Sequence, residues 1–272
     1  MLTTVALVAA LVSSIGQAAD GPSIANVRQT YFLLGPDRPD NKLLPGDSFH
    51  LAFDIDGLKV DDNGKVQYAM GLQVVNKDGK TEFGSEPTDR EVYNALGGSR
   101  VPAYANVDVG INQAPGKYTV KVTVIDRATK QKAETTREFE VVNKDFGLVR
   151  ASTTSDPGKL IPAGRFGVPG QSLFVNFYAV GFARDSATKQ PNISVVMRVL
   201  DQSNGKATLS KPFTGDVKQL EGNESVAIPM QFMLHLNRPG KYTVELTATD
   251  NVAKKTSKLE LPIVVVDAKS AP

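Results

Sequence analysis

Pro115-Gly116-Lys117-Tyr118-Thr119-Val120 recurs as Pro239-Gly240-Lys241-Tyr242-Thr243-Val244, 124 residues further along the chain. The same spacing carries Pro45-Gly46, Ser48, Phe53 and Gly57 onto Pro169-Gly170, Ser172, Phe177 and Gly181, and Asp126 onto Asp250. Phe139-Glu140-Val141-Val142 closes one copy where Ile263-Val264-Val265-Val266 closes the other. One offset kept over so many positions marks an internal repeat. The sequence therefore predicts two homologous domains, 22–143 and 145–267, followed by a tail at 268–272. Only Asn143-Lys144-Asp145 joins them, which predicts a fixed tandem rather than beads on a string.

Within each copy the apolar period is two, the signature of half-buried strands. Phe49, Leu51, Phe53 and Ile55 alternate with His50, Ala52, Asp54 and Asp56, and Leu173, Val175, Phe177 and Ala179 alternate with Phe174, Asn176, Tyr178 and Val180. Val66 to Val74, Tyr118 to Val124, Ile193 to Val199 and Tyr242 to Ala248 repeat the pattern. Asn63-Gly64, Asp78-Gly79, Asn204-Gly205 and the Pro-Gly pairs supply turn chemistry between the runs. No segment has convincing amphipathic helical periodicity. Short strands at this spacing predict an all-β chain of two tandem antiparallel β-sandwiches.

A Tyr two residues after a Gly, opening a late strand, resembles the tyrosine corner of immunoglobulin-like domains. Gly116-Lys117-Tyr118 and Gly240-Lys241-Tyr242 both carry it. The resemblance covers nearly the whole of both repeats and implies an immunoglobulin-like or fibronectin-III-like fold of the kind found in exported bacterial modules. It makes Tyr118 and Tyr242 structural residues whose phenols bond back to upstream backbone. It places Val120 and Val244 where antibody domains put their second Cys; the chain lacks both the Cys pair and the Trp of true antibody domains. The fold alone says nothing about activity.

Of the 272 residues, 31 are Lys or Arg and 29 Asp or Glu, so the net charge of +2 excludes a strongly basic nucleic-acid binder. With no Cys there are no disulfides, thiolate metal sites or cysteine nucleophile, and only His50 and His235 remain for acid–base or metal work.

Residues 1–19 contain no charged side chain, and Val5 to Val12 form a short apolar run followed by Ser13, Ser14, Gly16, Gln17, Ala18 and Ala19. That pattern predicts a signal peptide, with cleavage after Ala18 leaving small Gly16 three residues before the cut. Eight apolar residues span about 12 Å as a helix, short of the ~30 Å hydrocarbon core, so no stable membrane span is expected in the mature chain. No Lys or Arg precedes the apolar run, which departs from the usual signal pattern. The expectation is an exported protein: periplasmic, cell-surface or secreted.

Candidate sites follow from where the copies differ. One strand face changes from His50, Ala52, Asp54, Asp56 to Phe174, Asn176, Tyr178, Val180, which makes Phe174 and Tyr178 candidates for partner contact. The competing reading is that they are covered by the segment from Ser152 to Phe166 or by the first repeat. Asp54, Asp56, Asp61 and Asp62 are weak calcium candidates, since clustered oxygen ligands suit Ca²⁺, yet no EF-hand spacing is present and Asp-Asn-Gly is ordinary turn chemistry. The two histidines fall on non-equivalent strands with no His at i+2 or i+4, so neither zinc nor a serine triad is expected. No phosphate loop is present; Leu96-Gly97-Gly98 lacks the Lys-Ser/Thr that would follow. The sequons at Asn192 and Asn223 matter only in a eukaryotic secretory route. The loops from Thr81 to Arg100 and from Ala207 to Glu224 are long, polar and unlike each other, with room for extra short strands, and could carry binding residues of one repeat only.

These features predict a non-enzymatic binding or structural module, with no cofactor, engaging a protein, glycan or envelope polymer. The alternatives are a periplasmic chaperone acting by strand addition or an accessory domain of a larger envelope complex, and then a carbohydrate-active enzyme whose paired carboxylates only a fold could reveal.

Overall fold

In a computed structural model the chain is all-β, without helix among the described residues, which are 21–33, 35–221 and 225–267. The expected signal peptide, the tail at 268–272 and the Asn223 sequon lie outside them.

The first half holds β1 (Ser23–Thr30), β2 (Lys42–Leu43), β3 (Ser48–Asp56), β4 (Lys65–Asn76), β5 (Thr81–Tyr93), β6 (Val101–Asp108), β7 (Gly116–Asp126) and β8 (Lys132–Val141). The second holds β9 (Gly147–Thr154), β10 (Phe166–Gly167), β11 (Ser172–Val180), β12 (Ile193–Asp201), β13 (Lys206–Ala207), β14 (Phe213–Val217), β15 (Ala227–His235), β16 (Gly240–Asp250) and β17 (Lys255–Val265). Four strands, β1, β2, β3 and β7, recur residue for residue as β9, β10, β11 and β16 at the spacing of the sequence repeat.

In the first half, sheet β1-β3-β6 packs on sheet β2-β8-β7-β4-β5; in the second, β15-β11-β9 packs on β10-β17-β16-β12-β13, with β14 also paired to β12. Each pair of sheets encloses its own apolar cluster, because the alternating residues of facing strands point inward together. Phe49 stacks on Phe139 and Phe139 on Tyr118, while Phe177 stacks on Phe232. Phe177 is wholly buried, so its truncation to Ala would cost about 3–5 kcal/mol. Two short pairs, β2 with β8 and β10 with β17, are parallel, a departure from the purely antiparallel expectation that two-residue strands leave no apolar period to signal.

Details that look incidental in one repeat are duplicated in the other. Asn26 and Arg150 have φ of 50° and 51° at equivalent bulges in β1 and β9. Gly57 and Gly181 have φ of 78° and 65°, and a Cβ at either would run into the backbone oxygen of Gly21 or Asp145 where the chain enters the repeat. Only glycine satisfies both demands. Asp126 and Asp250 are fully buried and cap the following turns, receiving the N–H groups of Lys59, Ala128 and Thr129 in one copy and of Ala183, Val252 and Ala253 in the other. Buried carboxylates are tolerated there because backbone donors replace water.

The halves meet through a specific junction. The buried carboxylate of Asp47 pairs with Arg38 at 2.8 Å and also accepts the N–H groups of Ser48 and Arg150, the latter from the second half. Arg150 Nε donates to the Gly46 carbonyl at 2.8 Å, and within the second half Lys255 pairs with Asp145 at its entry, at 2.5 Å. Phe32, from the first half, is buried in the apolar cluster of the second.

Candidate functional site

On β11 the face opposite the core carries the aromatic candidates. Phe174 and Tyr178 are half-buried there, and Asn176 and Val180 between and beyond them are buried. The segment after β9 folds back over this face. Asn176 Nδ2 donates to Thr154 Oγ1, its Oδ1 accepts from Gln231 Nε2 at 2.7 Å, and Gln231 also donates to the Pro157 carbonyl. The Lys159 ammonium stands 5.3 Å from the centre of the Tyr178 ring. At the other end of the strand, Tyr178 and Val180 line a hollow of about 270 Å³ together with Gly46 and Ile111 of the first half. The exchange of Asp54 and Asp56 for Tyr178 and Val180 therefore follows the junction, since the second repeat seats this end of its strand against the first.

Three of the four aspartates, Asp54, Asp56 and Asp61, are engaged by protein partners. Asp56 holds Arg100 through Nε at 2.7 Å and Nη2 at 3.1 Å, and Asp54 accepts from Asn26 Nδ2 at 2.7 Å with Arg100 nearby. Asp61 accepts the N–H groups of Asn63 and Lys65, closing its own turn, in which Asp62 is exposed. Arg100 supplies the positive charge that a cation would bring. Among the described residues no three His, Cys, Asp or Glu side chains gather into a metal-holding group.

His50 is half-buried on β3; burial pulls its pKa below the ordinary value against the opposing pull of Asp47 and Asp108. His235 Nδ1 lies 2.9 Å from Ser172 Oγ. The equivalent serine of the first repeat, Ser48, donates to Asp108 Oδ1 at 2.6 Å, and Ser48 pairs with Asp108 in register as Ser172 does with His235. The serine–histidine contact is thus the second repeat's version of a strap between neighbouring strand ends. The two tyrosine phenols bond to upstream carbonyls, Tyr118 to Ala114 at 2.8 Å and Tyr242 to Arg238 and Pro239 at 3.2 Å.

Beside each tyrosine the two sheets part into an open cleft. That of the second repeat, about 410 Å³, runs between the edge strand β15 and the β13–β14 edge, walled by Leu209, Phe213, Met233, Leu236 and Ile263, with His235, Asn237 and Arg238 at its polar side. That of the first, about 420 Å³, lies between β6 and β5 and is walled by Phe83, Val107 and Phe139, with Glu82 and Asp108 at its polar side. Both fall in the size range of small-molecule sites. Leu209, Phe213 and Met233 are 55%, 42% and 47% exposed, a concentration of apolar surface that the sequence signals only as apolar residues in a polar loop and on the non-core face of a strand.

No protein-family model matches this sequence, and no curated protein is similar to it. Among solved structures, the C-terminal domain of the AgI/II polypeptide BspA of Streptococcus agalactiae aligns at 8% identity and TM-score 0.29, over 90% of this chain and 100% of that one. The C-terminal domain of the Streptococcus pyogenes antigen I/II-family protein AspA aligns at 10% identity and TM-score 0.27, over 90% and 99%. A family 123 glycoside hydrolase from Clostridium perfringens aligns at 14% identity and TM-score 0.30, over 45% of this chain and 27% of that one. Likeness this low carries no argument about function.

Proposed function

We propose that this chain is an exported, non-enzymatic binding or structural module of two domains, 22–143 and 145–267, that engages a protein, glycan or envelope polymer. The observation that supports it most is the concentration of exposed apolar side chains on the second repeat, at Leu209, Phe213 and Met233 beside the open cleft. Apolar surface of this kind on a soluble fold marks contact with something else. The polar side chains with chemical potential have structural partners instead, Asp126 and Asp250 as turn caps and Ser172 with His235 as a strap. Strand addition by a client is a second reading, favoured by the free edges of β14 and β15.

The test is capture from envelope and culture fractions with the chain from Asp20, beside Phe174→Ala/Tyr178→Ala and Leu209→Asp/Phe213→Asp versions checked for fold. A partner held by the first protein and lost by the cleft version supports the reading; loss with the β11 version moves the site to that face. A chain that captures nothing, or one that cleaves a glycan panel, overturns it.

A further inference from the structure

The two clefts occupy the same place in the two repeats and have nearly the same volume, but they differ in charge. Glu82 and Asp108 line the first, whereas the second has His235 and Arg238, the latter paired with Asp201 at 2.7 Å, and no carboxylate among its described lining residues. We propose that the cleft of the second repeat binds an anionic amphiphile, a single-chain molecule whose alkyl body lies against Leu209, Phe213 and Met233 and whose carboxylate or sulfate head meets Arg238 and His235. The proposal rests on the binding-module reading and names its ligand class.

Three features carry it. Three of the walls, Leu209, Phe213 and Met233, are apolar and exposed in the free protein, so covering them with an alkyl chain is favourable in proportion to the area removed from water. The polar side is preorganised: Arg238 Nε donates to the Tyr242 phenol at 3.0 Å and Nη2 to Asp201 at 2.7 Å, so little side-chain freedom is lost when an anion arrives. With His235 Nδ1 engaged by Ser172, Nε2 is the ring nitrogen available to a head group. The first cleft is the built-in comparison, since its two carboxylates repel the same head.

The experiment titrates the chain from Asp20 with sodium laurate below its micelle concentration, by calorimetry and by methyl chemical shifts, with dodecyltrimethylammonium as the cationic counterpart. One laurate per chain is expected, with shifts confined to methyls of this cleft, those of Leu209, Met233, Leu236 and Ile263 among them. Met233→Asp and Leu209→Asp, both at exposed positions, weaken it by about tenfold or more while leaving the thermal midpoint unchanged, and Phe83→Asp in the first cleft leaves it unaltered. Absence of saturable laurate binding, equal binding by both cleft variants, or equal affinity for the cationic amphiphile overturns the proposal. A macromolecular partner captured through the cleft without laurate binding overturns the ligand class and leaves the binding-module reading standing; failure of both assays removes both.

Discussion

The backbone N–H of Arg150 donates to Asp47 Oδ1 at 2.9 Å, so a residue in left-handed conformation at a bulge of the second repeat is tied to a buried carboxylate of the first. The same bulge in the first repeat, at Asn26, sends its side chain to Asp54 instead. The bulge belongs to the duplicated fold, and the second copy uses it for docking.

Asp47→Ala removes one acceptor from Arg38, Ser48 and Arg150 together and leaves a largely buried guanidinium with the Lys42 carbonyl and, at 3.6 Å, the Asp40 carboxylate. The expected loss is on the order of 3 kcal/mol, read from urea denaturation, with faster hydrogen exchange at the Arg150 amide. Lys255→Ala breaks an ion pair half open to water, and its denaturation midpoint should stay within about 0.5 kcal/mol of the parent.

Tyr118→Phe deletes a 2.8 Å bond to the Ala114 carbonyl and orphans Gln113 Nε2, which donates to the same phenol. A cost of about 1 kcal/mol is expected. Tyr242→Phe should cost a similar amount and also release Arg238 Nε. Unchanged midpoints in both variants would remove the corner role from these tyrosines.

Asp126→Asn and Asp250→Asn turn an amide toward a backbone N–H, that of Lys59 or Ala183, which currently meets a carboxylate oxygen. Each should cost about 1–3 kcal/mol. Because the two caps are copies, their effects should match; a large effect at one and none at the other would contradict their equivalence.

The lowered pKa of His50, caused first by burial, means that the unfolded chain binds the proton more tightly than the folded one. Stability should therefore be full above the ordinary histidine value of about 6.5 and fall as the pH drops through it. His50→Gln should flatten that part of the profile between about pH 7 and 5. A parent and variant that lose stability in parallel would show that His50 is not the source.

Calcium should leave the thermal midpoint unchanged, since Asp54 and Asp56 already share Arg100 and Asp61 is committed to its turn. A rise on adding calcium, abolished by Asp56→Asn, would refute this.

Much of the architecture can be read from the repeat. The spacing between Gly116 and Gly240 places four strand pairs residue for residue, and the alternation Phe49-Leu51-Phe53-Ile55 gives the buried face of β3. What escapes is held by backbone rather than by apolar pattern. β5 is thirteen residues of a sheet edge exposed almost throughout, so a polar stretch such as Thr81-Glu82-Phe83-Gly84-Ser85 reads as loop with room for short strands, although its pairing with β4 makes it one long strand. The second cleft escapes for another reason: Leu209, Met233 and Ile263 are distant in sequence and meet only because two sheet edges diverge beside Tyr242. The covering of Tyr178 is a tertiary fact as well, set by Lys159 on one side and the first repeat on the other.

Each repeat lays its early strand parallel to its last, β2 beside β8 and β10 beside β17, through N–H groups of Glu140, Val142, Val264 and Val266. Tension applied to the chain on either side of a repeat drags such partners past one another along their length and strains the bonds side by side instead of peeling them in turn. With only Lys144 between the repeats and Arg150 latched on Asp47, a pull on one passes directly to the other. How well this chain withstands stretching is thus governed by a few hydrogen bonds at its sheet edges more than by the size of its two cores.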